Sequence, residues 1–139
     1  MKKGTEFFSK TPSPIYEGGT MIFETHAHYD DEQFDLDREE LLSSMPEQGV
    51  GTIVNVSATY ESCRRVVDLV QKYPFMYAAV GIHPDEVGSL NEERFQQMKE
   101  LCKQEKVVAV GEIGLDYYWD NESHDVQKEG FCLLYTSPS

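Results

Sequence analysis

"GTIVNVSA" at residues 51–58 decides the fold class, together with "ESCRRVVDLVQKY" at residues 61–73. The first stretch is a short apolar run rich in β-branched residues, which is typical of a strand buried on both faces. The second places apolar residues at helical spacing and ends before Pro74, where a helix cannot continue easily. A buried strand followed at once by an amphipathic helix predicts a parallel β/α unit.

The same two patterns recur along the chain at intervals of about 25 to 30 residues, the length of a strand plus a returning helix. Two architectures fit this alternation, a doubly wound sheet and a (β/α)₈ barrel. The glycine-rich signatures of nucleotide-binding folds are absent. A barrel typically needs about 250 residues, so four strands would make about half of one. The predicted strands are 21–26, 51–58, 76–82 and 106–116, and the predicted helices are 37–45, 61–73 and 91–104, the last with Asn91 as its N-cap.

Charge and cysteine content limit the classes of function. The chain of 139 residues has 25 acidic and 12 basic residues and a formal charge of −13, so it lacks the basic surface of a passive nucleic-acid binder. Contact with phosphate would therefore need metal ions. No apolar run approaches the roughly 20 residues that cross a bilayer, and residues 1–20 lack the apolar core of a signal peptide, which predicts a cytoplasmic protein. Cys63, Cys102 and Cys132 are predicted to be reduced.

Polar residues stand at the carboxyl end of every predicted strand, the edge where parallel β/α folds build their sites. Because side chains alternate along a strand, the two histidines of "ETHAH" at 24–28 are expected to face the same way and to bind one divalent ion. Glu112 lies between two glycines and is the predicted carboxylate partner. The full set is Glu24, His26 and His28 after the first strand, Asn55 and Ser57 on the second, His83 after the third, and Glu112 and Asp116 after the fourth.

Each of these residues also has an ordinary structural explanation. A lone His-x-His pair is often a coincidence, and Glu112 alone would usually be a solvated loop acid. The "YY" at 117–118 is more often packing than substrate stacking, and His124 is predicted to be a surface residue. Four strand ends delivering polar groups to one edge favour the metal site over these explanations.

Three motifs carry a resemblance to a known family: "ETHAHYDD" at 24–31, "VGIHPDE" at 80–86 and "VGEIGLDYYWD" at 110–120. In order and approximate spacing they resemble the TatD family of metal-dependent hydrolases, TIM-barrel enzymes of the amidohydrolase type described as deoxyribonucleases. The resemblance implies two divalent ions (Mg, Mn or Zn) that activate a water and neutralise phosphate, with DNA as substrate. It implies His26, His28 and Glu112 as metal ligands, and Glu112, His83 and Asp116 as catalytic or substrate-contacting residues.

Residues 1–20 carry Gly, Ser, Thr and Pro without periodicity and are predicted to be a disordered extension, with Met21 an alternative start. The resemblance covers 21–129, which are predicted to be the N-terminal half of a TatD-like barrel. Residues 130–139 are predicted to be a tail outside the family pattern, left by truncation or a frameshift. The family's later ligands, two histidines and an aspartate, have no counterpart in this sequence, so weak or absent activity is expected. Glu24 also replaces the aspartate that is usual in the family.

Two alternative functions stay open at this point. One is another amidohydrolase-type enzyme that acts on an ester, amide or lactone, because a fold does not fix its substrate. The other is a metal-binding fragment without catalysis. Oligomeric state and metal identity are not predicted.

Overall fold

The computed structural model describes residues 21–119 and 121–136, in which one parallel sheet is covered by helices. The strand order is β1-β2-β3-β4, the order along the chain. A doubly wound sheet reverses its order at a switch point, so this consecutive order favours the barrel architecture. The strands are β1 Ile22–Ala27, β2 Val50–Val56, β3 Met76–Val80 and β4 Val107–Val110; the helices are α1 Arg38–Ser44, α2 Tyr60–Val70, α3 Glu92–Cys102 and α4 His124–Tyr135; two 3₁₀ segments cover Glu32–Phe34 and Pro84–Ser89.

The core lies between the two inner strands and the helices that cover them. Helix α2 begins at a capping box formed by Thr59 and Ser62, and its apolar side is fully buried. Asn91 caps α3 as predicted, because its side chain accepts a hydrogen bond from the Arg94 N–H at 2.9 Å. The largest fully buried apolar side chains are Leu42, Ile53, Met76, Ile82, Met98 and Leu134.

The fourth strand is shorter than its apolar pattern predicts, because it ends at Val110 and not at Asp116. Past that point the chain crosses the end of β3, and the Glu112 N–H donates at 3.1 Å to the carbonyl of Ser57, the residue that follows β2. This crossing brings the backbones of Gly81 and Gly111 together, so that a Cβ added at Gly81 would lie 2.6 Å from the carbonyl carbon of Gly111. Glycine is required at position 81 by that approach.

The outer strands are much more exposed than the inner ones. Phe23 on β1 is 60% exposed and Val108 on β4 is 56% exposed, whereas every residue of β3 except Tyr77 is buried. Within 21–119 and 121–136, β1 pairs only with β2 and β4 pairs only with β3. Both outer strands therefore present apolar edges.

Helix α4 runs without a break through residue 129, the predicted end of the barrel sequence, to Tyr135. Gly130 lies against Val87 of the second 3₁₀ segment, and Leu134 is buried in the main core. Residues 130–135 are thus part of the packed structure. That they belong to a tail outside the family pattern stays a prediction. The predicted extension at 1–20 and the last three residues of the tail lie outside the described residues.

All three cysteines are free thiols, as predicted. Among the described helices, none combines the length and the apolar character needed to cross a membrane.

Candidate metal centre

Two imidazoles and one carboxylate converge at the carboxyl edge of the sheet. The His26 Nε2 lies 3.1 Å from the His28 Nε2 and 3.4 Å from the Glu112 Oε2. One ligand atom from each of the three residues falls within 4.8 Å of the others. In the described parts of the chain this is the group of histidine, cysteine and acidic residues whose geometry could hold a metal ion. Two imidazole nitrogens and a carboxylate oxygen form a donor set that suits a divalent cation.

The tautomer of His28 suits a ligand. Its Nδ1 lies 2.8 Å from the Val56 carbonyl oxygen, which can only accept a hydrogen bond. The neutral ring therefore carries its proton on Nδ1 and directs the lone pair of Nε2 toward His26 and Glu112. A backbone carbonyl on the far nitrogen is the usual way in which a protein orients a metal-binding histidine.

The local path of β1 differs from regular alternation. Glu24 is opposite Ile53 and Ala27 is opposite Asn55, so three residue steps on β1 match two on β2. Such an irregularity re-aims side chains at a site. The His26 and His28 rings meet as expected, but the Glu24 carboxylate turns back and accepts the His26 N–H at 3.2 Å. Glu24 therefore supports the backbone of His26 and is not one of the converging groups.

Ser57 and Cys63 form the buried support under Glu112. The Ser57 carbonyl accepts the Glu112 N–H, and the Ser57 hydroxyl donates to the Gly81 carbonyl at 2.7 Å and accepts the Gly81 N–H at 2.8 Å. The Cys63 thiol lies 3.4 Å from the Ser57 hydroxyl, and burial raises the pKa of this thiol from 9.0 to about 11. Cys63 is thus a protonated, inert core thiol near neutral pH.

His83 lies beside this group with its proton in a defined place. Its Nδ1 accepts the Asp85 N–H at 3.2 Å, as the cap of the second 3₁₀ segment. The neutral ring must then carry its proton on Nε2, which lies 3.8 Å from the Glu112 Oε1. His83 consequently presents an N–H donor toward the converging residues, where His28 presents a lone pair.

Residues 116–119 and 121–122, which we call the Asp116 segment, follow Glu112 and are held by α4. The Asp116 Oδ1 accepts the Tyr118 N–H at 2.9 Å, so its carboxylate stabilises a turn and is not among the converging ligand atoms. Gln127 is fully buried and makes bonds to the Asp116 N–H and carbonyl at 2.8 and 2.7 Å. His124 is exposed, as predicted, and stacks on Tyr117 with ring centroids 3.8 Å apart.

Sequence reasoning missed the side chains that hold the backbone after His28 and the Asp116 segment in place. Asn55 was singled out as a strand-end polar residue, but its side chain is fully buried and bonds to the chain just after His28. Two others carry no such signal: Arg38, whose guanidinium donates to the Tyr29 and Asp31 carbonyls, and Gln127. Arg38 stands in an acidic stretch and Gln127 in a charged helix, and neither setting marks a residue whose partners come from another element.

Comparison with known proteins identifies the family of this chain. The family model of TatD-related DNases matches residues 23–135. This chain belongs to the TatD-related DNase family. The metal-dependent hydrolase YabD of Bacillus subtilis, itself described as uncharacterized, is 43% identical over 111 residues, covering 80% of this chain and 44% of YabD. The 3'-5' ssDNA/RNA exonuclease TatD of Cronobacter turicensis is 27% identical over 96 residues, covering 69% of this chain and 36% of that protein.

A solved structure supports the same family and fold. The crystal structure of YjjV, a TatD homologue from Escherichia coli, matches with a TM-score of 0.73 and 34% identity, covering 84% of this chain and 46% of that one. The four parallel strands and their helices thus form a partial TIM-barrel-like α/β fold. The chain spans less than half the length of each of these relatives.

Membership of the TatD family agrees with the donor set at the edge of the sheet. The family comprises metal-dependent hydrolases, and His26, His28 and Glu112 fit a divalent metal ion by their chemistry and their spacing.

Proposed function

We propose that this TatD family chain is part of a hydrolase that cleaves phosphodiester bonds in DNA with metal-activated water. The observation that carries the proposal is the convergence of the His26, His28 and Glu112 ligand atoms within 4.8 Å, with the His28 Nε2 lone pair turned inward. These three residues would hold the first of two divalent ions, which could be Mg, Mn or Zn. Bound divalent ions supply an activated water and neutralise the charge of a phosphate.

The chain's own residues would orient the substrate around that centre. The Nε2–H of His83 would donate a hydrogen bond to a phosphate oxygen, because its Nδ1 is committed to the Asp85 N–H. Glu112, supported by the Ser57 carbonyl, would present one oxygen on the His26 side and the other on the His83 side. Asp116 would act as a supporting residue that shapes the turn at the mouth of the site.

The choice of DNA rests on relatives and on charge. Several relatives at 25 to 28% identity are named 3'-5' ssDNA/RNA exonucleases, whereas those at 35 to 43% are named only as metal-dependent hydrolases. A chain with a formal charge of −13 needs cations at the site to approach a polyanion. An ester, amide or lactone substrate would not need the second ion for charge neutralisation, and it remains the competing hypothesis.

The test compares substrates under single-turnover conditions, with protein in excess of a 3'-labelled single-stranded oligonucleotide or a chromogenic ester. Mg²⁺, Mn²⁺ and Zn²⁺ are supplied in turn, and EDTA removes them. We expect slow, metal-dependent cleavage of the oligonucleotide that disappears in Glu112→Ala. Faster cleavage of the ester would favour the other amidohydrolase function.

Zinc titration by calorimetry separates the non-catalytic alternative. Binding that is lost in His26→Ala without cleavage of either substrate would indicate a metal-binding fragment and contradict the proposed activity.

A further inference from the structure

The backbone that carries His28 lies outside the strand ladder. β1 ends at Ala27, and the chain then turns, with the Asp31 N–H donating to the His28 carbonyl at 3.1 Å. We call residues 28–31 the His28 segment. The single bond from the His28 Nδ1 to Val56 orients the ring but cannot by itself fix the position of the backbone below it.

Asn55 holds one side of the His28 segment. Its Oδ1 accepts the Tyr29 N–H at 2.7 Å, and its Nδ2 donates to the Asp30 Oδ1 at 2.8 Å. The Asn55 side chain is fully buried on β2, directly opposite Ala27. Both ends of this amide are therefore committed to the two residues that follow His28, and water cannot replace either bond without entering the core.

Arg38 holds the opposite side. Its Nε donates to the Tyr29 carbonyl at 2.5 Å, and its Nη2 donates to the Asp31 carbonyl at 2.7 Å. The same Nη2 contacts the Asp35 carboxylate at 2.6 Å, which keeps the guanidinium in this orientation. A planar guanidinium can bind several carbonyls at fixed angles, which a lysine amine cannot do.

We propose that Asn55 and Arg38 are positioning residues that set the His28 imidazole for metal binding. Asn55 accepts the Tyr29 N–H, and Arg38 donates to the Tyr29 and Asp31 carbonyls. The peptide planes next to His28 are therefore held between β2 and α1. Groups one shell out from a metal ligand commonly control affinity in this way. The inference rests on the proposed function, because it treats His28 as a metal ligand.

The Asn55–Asp30 pair allows an exchange experiment. Asn55→Asp retains an acceptor for the Tyr29 N–H but sets a second carboxylate against Asp30. The further substitution Asp30→Asn restores one amide and one carboxylate with the donor direction reversed. Met98→Ala serves as the control, because Met98 is a fully buried core residue on α3, a helix that carries none of the ligands and no residue of the His28 segment. Its truncation costs about 2–5 kcal/mol of stability.

Zinc affinity is measured for the full 139-residue chain by calorimetry at pH 7.5. We expect Asn55→Asp to weaken zinc binding at least about tenfold and the double variant Asn55→Asp/Asp30→Asn to recover most of it, while Met98→Ala stays within about twofold of the wild type. An unchanged affinity in Asn55→Asp, or no recovery in the double variant, would overturn the proposal. If Asn55→Asp does not fold, Arg38→Lys decides the matter, with a loss of about threefold expected and no loss counting against the proposal.

The ring itself gives a second readout that needs no metal. Two-bond ¹H–¹⁵N spectra of the metal-free chain should show His28 protonated on Nδ1 in the wild type, a mixture of tautomers in Asn55→Asp, and the original pattern in the double variant. An identical pattern in all three would contradict the positioning role. A wild type that keeps this pattern but binds no zinc would contradict the metal site of the proposed function and leave the positioning role supported.

Discussion

The His28 segment and the Asp116 segment flank the candidate metal centre and are held by the same chemical device from different places. Each follows a strand, and each is tied down by a fully buried amide side chain, Asn55 or Gln127, that bonds to its backbone. Asn55 stands on the neighbouring strand, inside the sheet. Gln127 stands on α4, outside the sheet, and that helix depends on its own packing against the second 3₁₀ segment.

Because of this difference, the order of the His28 segment should depend on the stability of the sheet, and the order of the Asp116 segment should depend on α4. The His28 segment should stay ordered whenever β1 and β2 pair. The Asp116 segment should loosen whenever α4 detaches, even with the sheet intact, because local unfolding follows local contacts. Three substitutions and one change of pH test the support of the centre, beginning with the largest expected effect.

Gly81→Ala should destabilise the close approach between the end of β3 and the chain that leads to Glu112. Its Cβ would lie 2.6 Å from the Gly111 backbone, so the end of β3 or the path to Glu112 must shift, at a cost of about 3 kcal/mol. Urea unfolding measures the loss. Gly111→Ala is the matched control, because its Cβ would meet Ala79 at an ordinary 3.8 Å, and equal losses in both variants would contradict the close-approach explanation.

Gly130→Ala should release α4 and loosen the Asp116 segment. The added Cβ would lie 2.0 Å from the Val87 Cγ2, and a β-branched side chain has little freedom to move away, so about 2 kcal/mol of stability should be lost. Hydrogen exchange should quicken at 116–135 and stay unchanged at 28–31. Gly88→Ala is the control for the loss of stability, since the atoms nearest to its added Cβ belong to the flexible Glu122 side chain, which can move away. Faster exchange in the His28 segment would contradict the contrast.

Gln127→Ala removes the buried amide while leaving α4 in place. The Asp116 N–H and carbonyl lose their partner, which should cost about 1–2 kcal/mol and raise exchange at 116–122. Zinc affinity should stay within about twofold of the wild type, in contrast to the loss expected for Asn55→Asp. Calorimetry beside exchange measures both, and a large loss of zinc affinity would show that the Asp116 segment supports the ligands as well.

Alkaline pH should weaken the buried support under Glu112 through Cys63. Burial raises the pKa of this thiol from 9.0 to about 11, so the folded state keeps the proton that the unfolded state releases. The contribution is therefore complete below pH 9 and is lost as the pH rises through 11, with a fall of about 1 kcal/mol between pH 8 and 10. Unfolding of the wild type and Cys63→Ala at both values isolates the effect, and equal falls in the two proteins would contradict it.

The sequence by itself determined the β/α alternation, the strand edge that carries the polar residues, and the convergence of His26, His28 and Glu112. These follow from short-range rules: apolar periodicity defines the elements, and parallel strands place their carboxyl ends together. The prediction that β4 extends to Asp116 was wrong, because the apolar pattern of 106–116 cannot reveal that the chain leaves the sheet to reach the Ser57 carbonyl.

Only the tertiary structure decided how the site is supported. The irregular register of β1 turns the Glu24 carboxylate onto the His26 N–H, and this depends on the pairing with β2. Arg38, Asn55 and Gln127 act on residues that are far along the chain or on a different element, and their residue types are common on ordinary surfaces. A local pattern records what a residue is, whereas its hydrogen-bond partners depend on which elements the fold brings together.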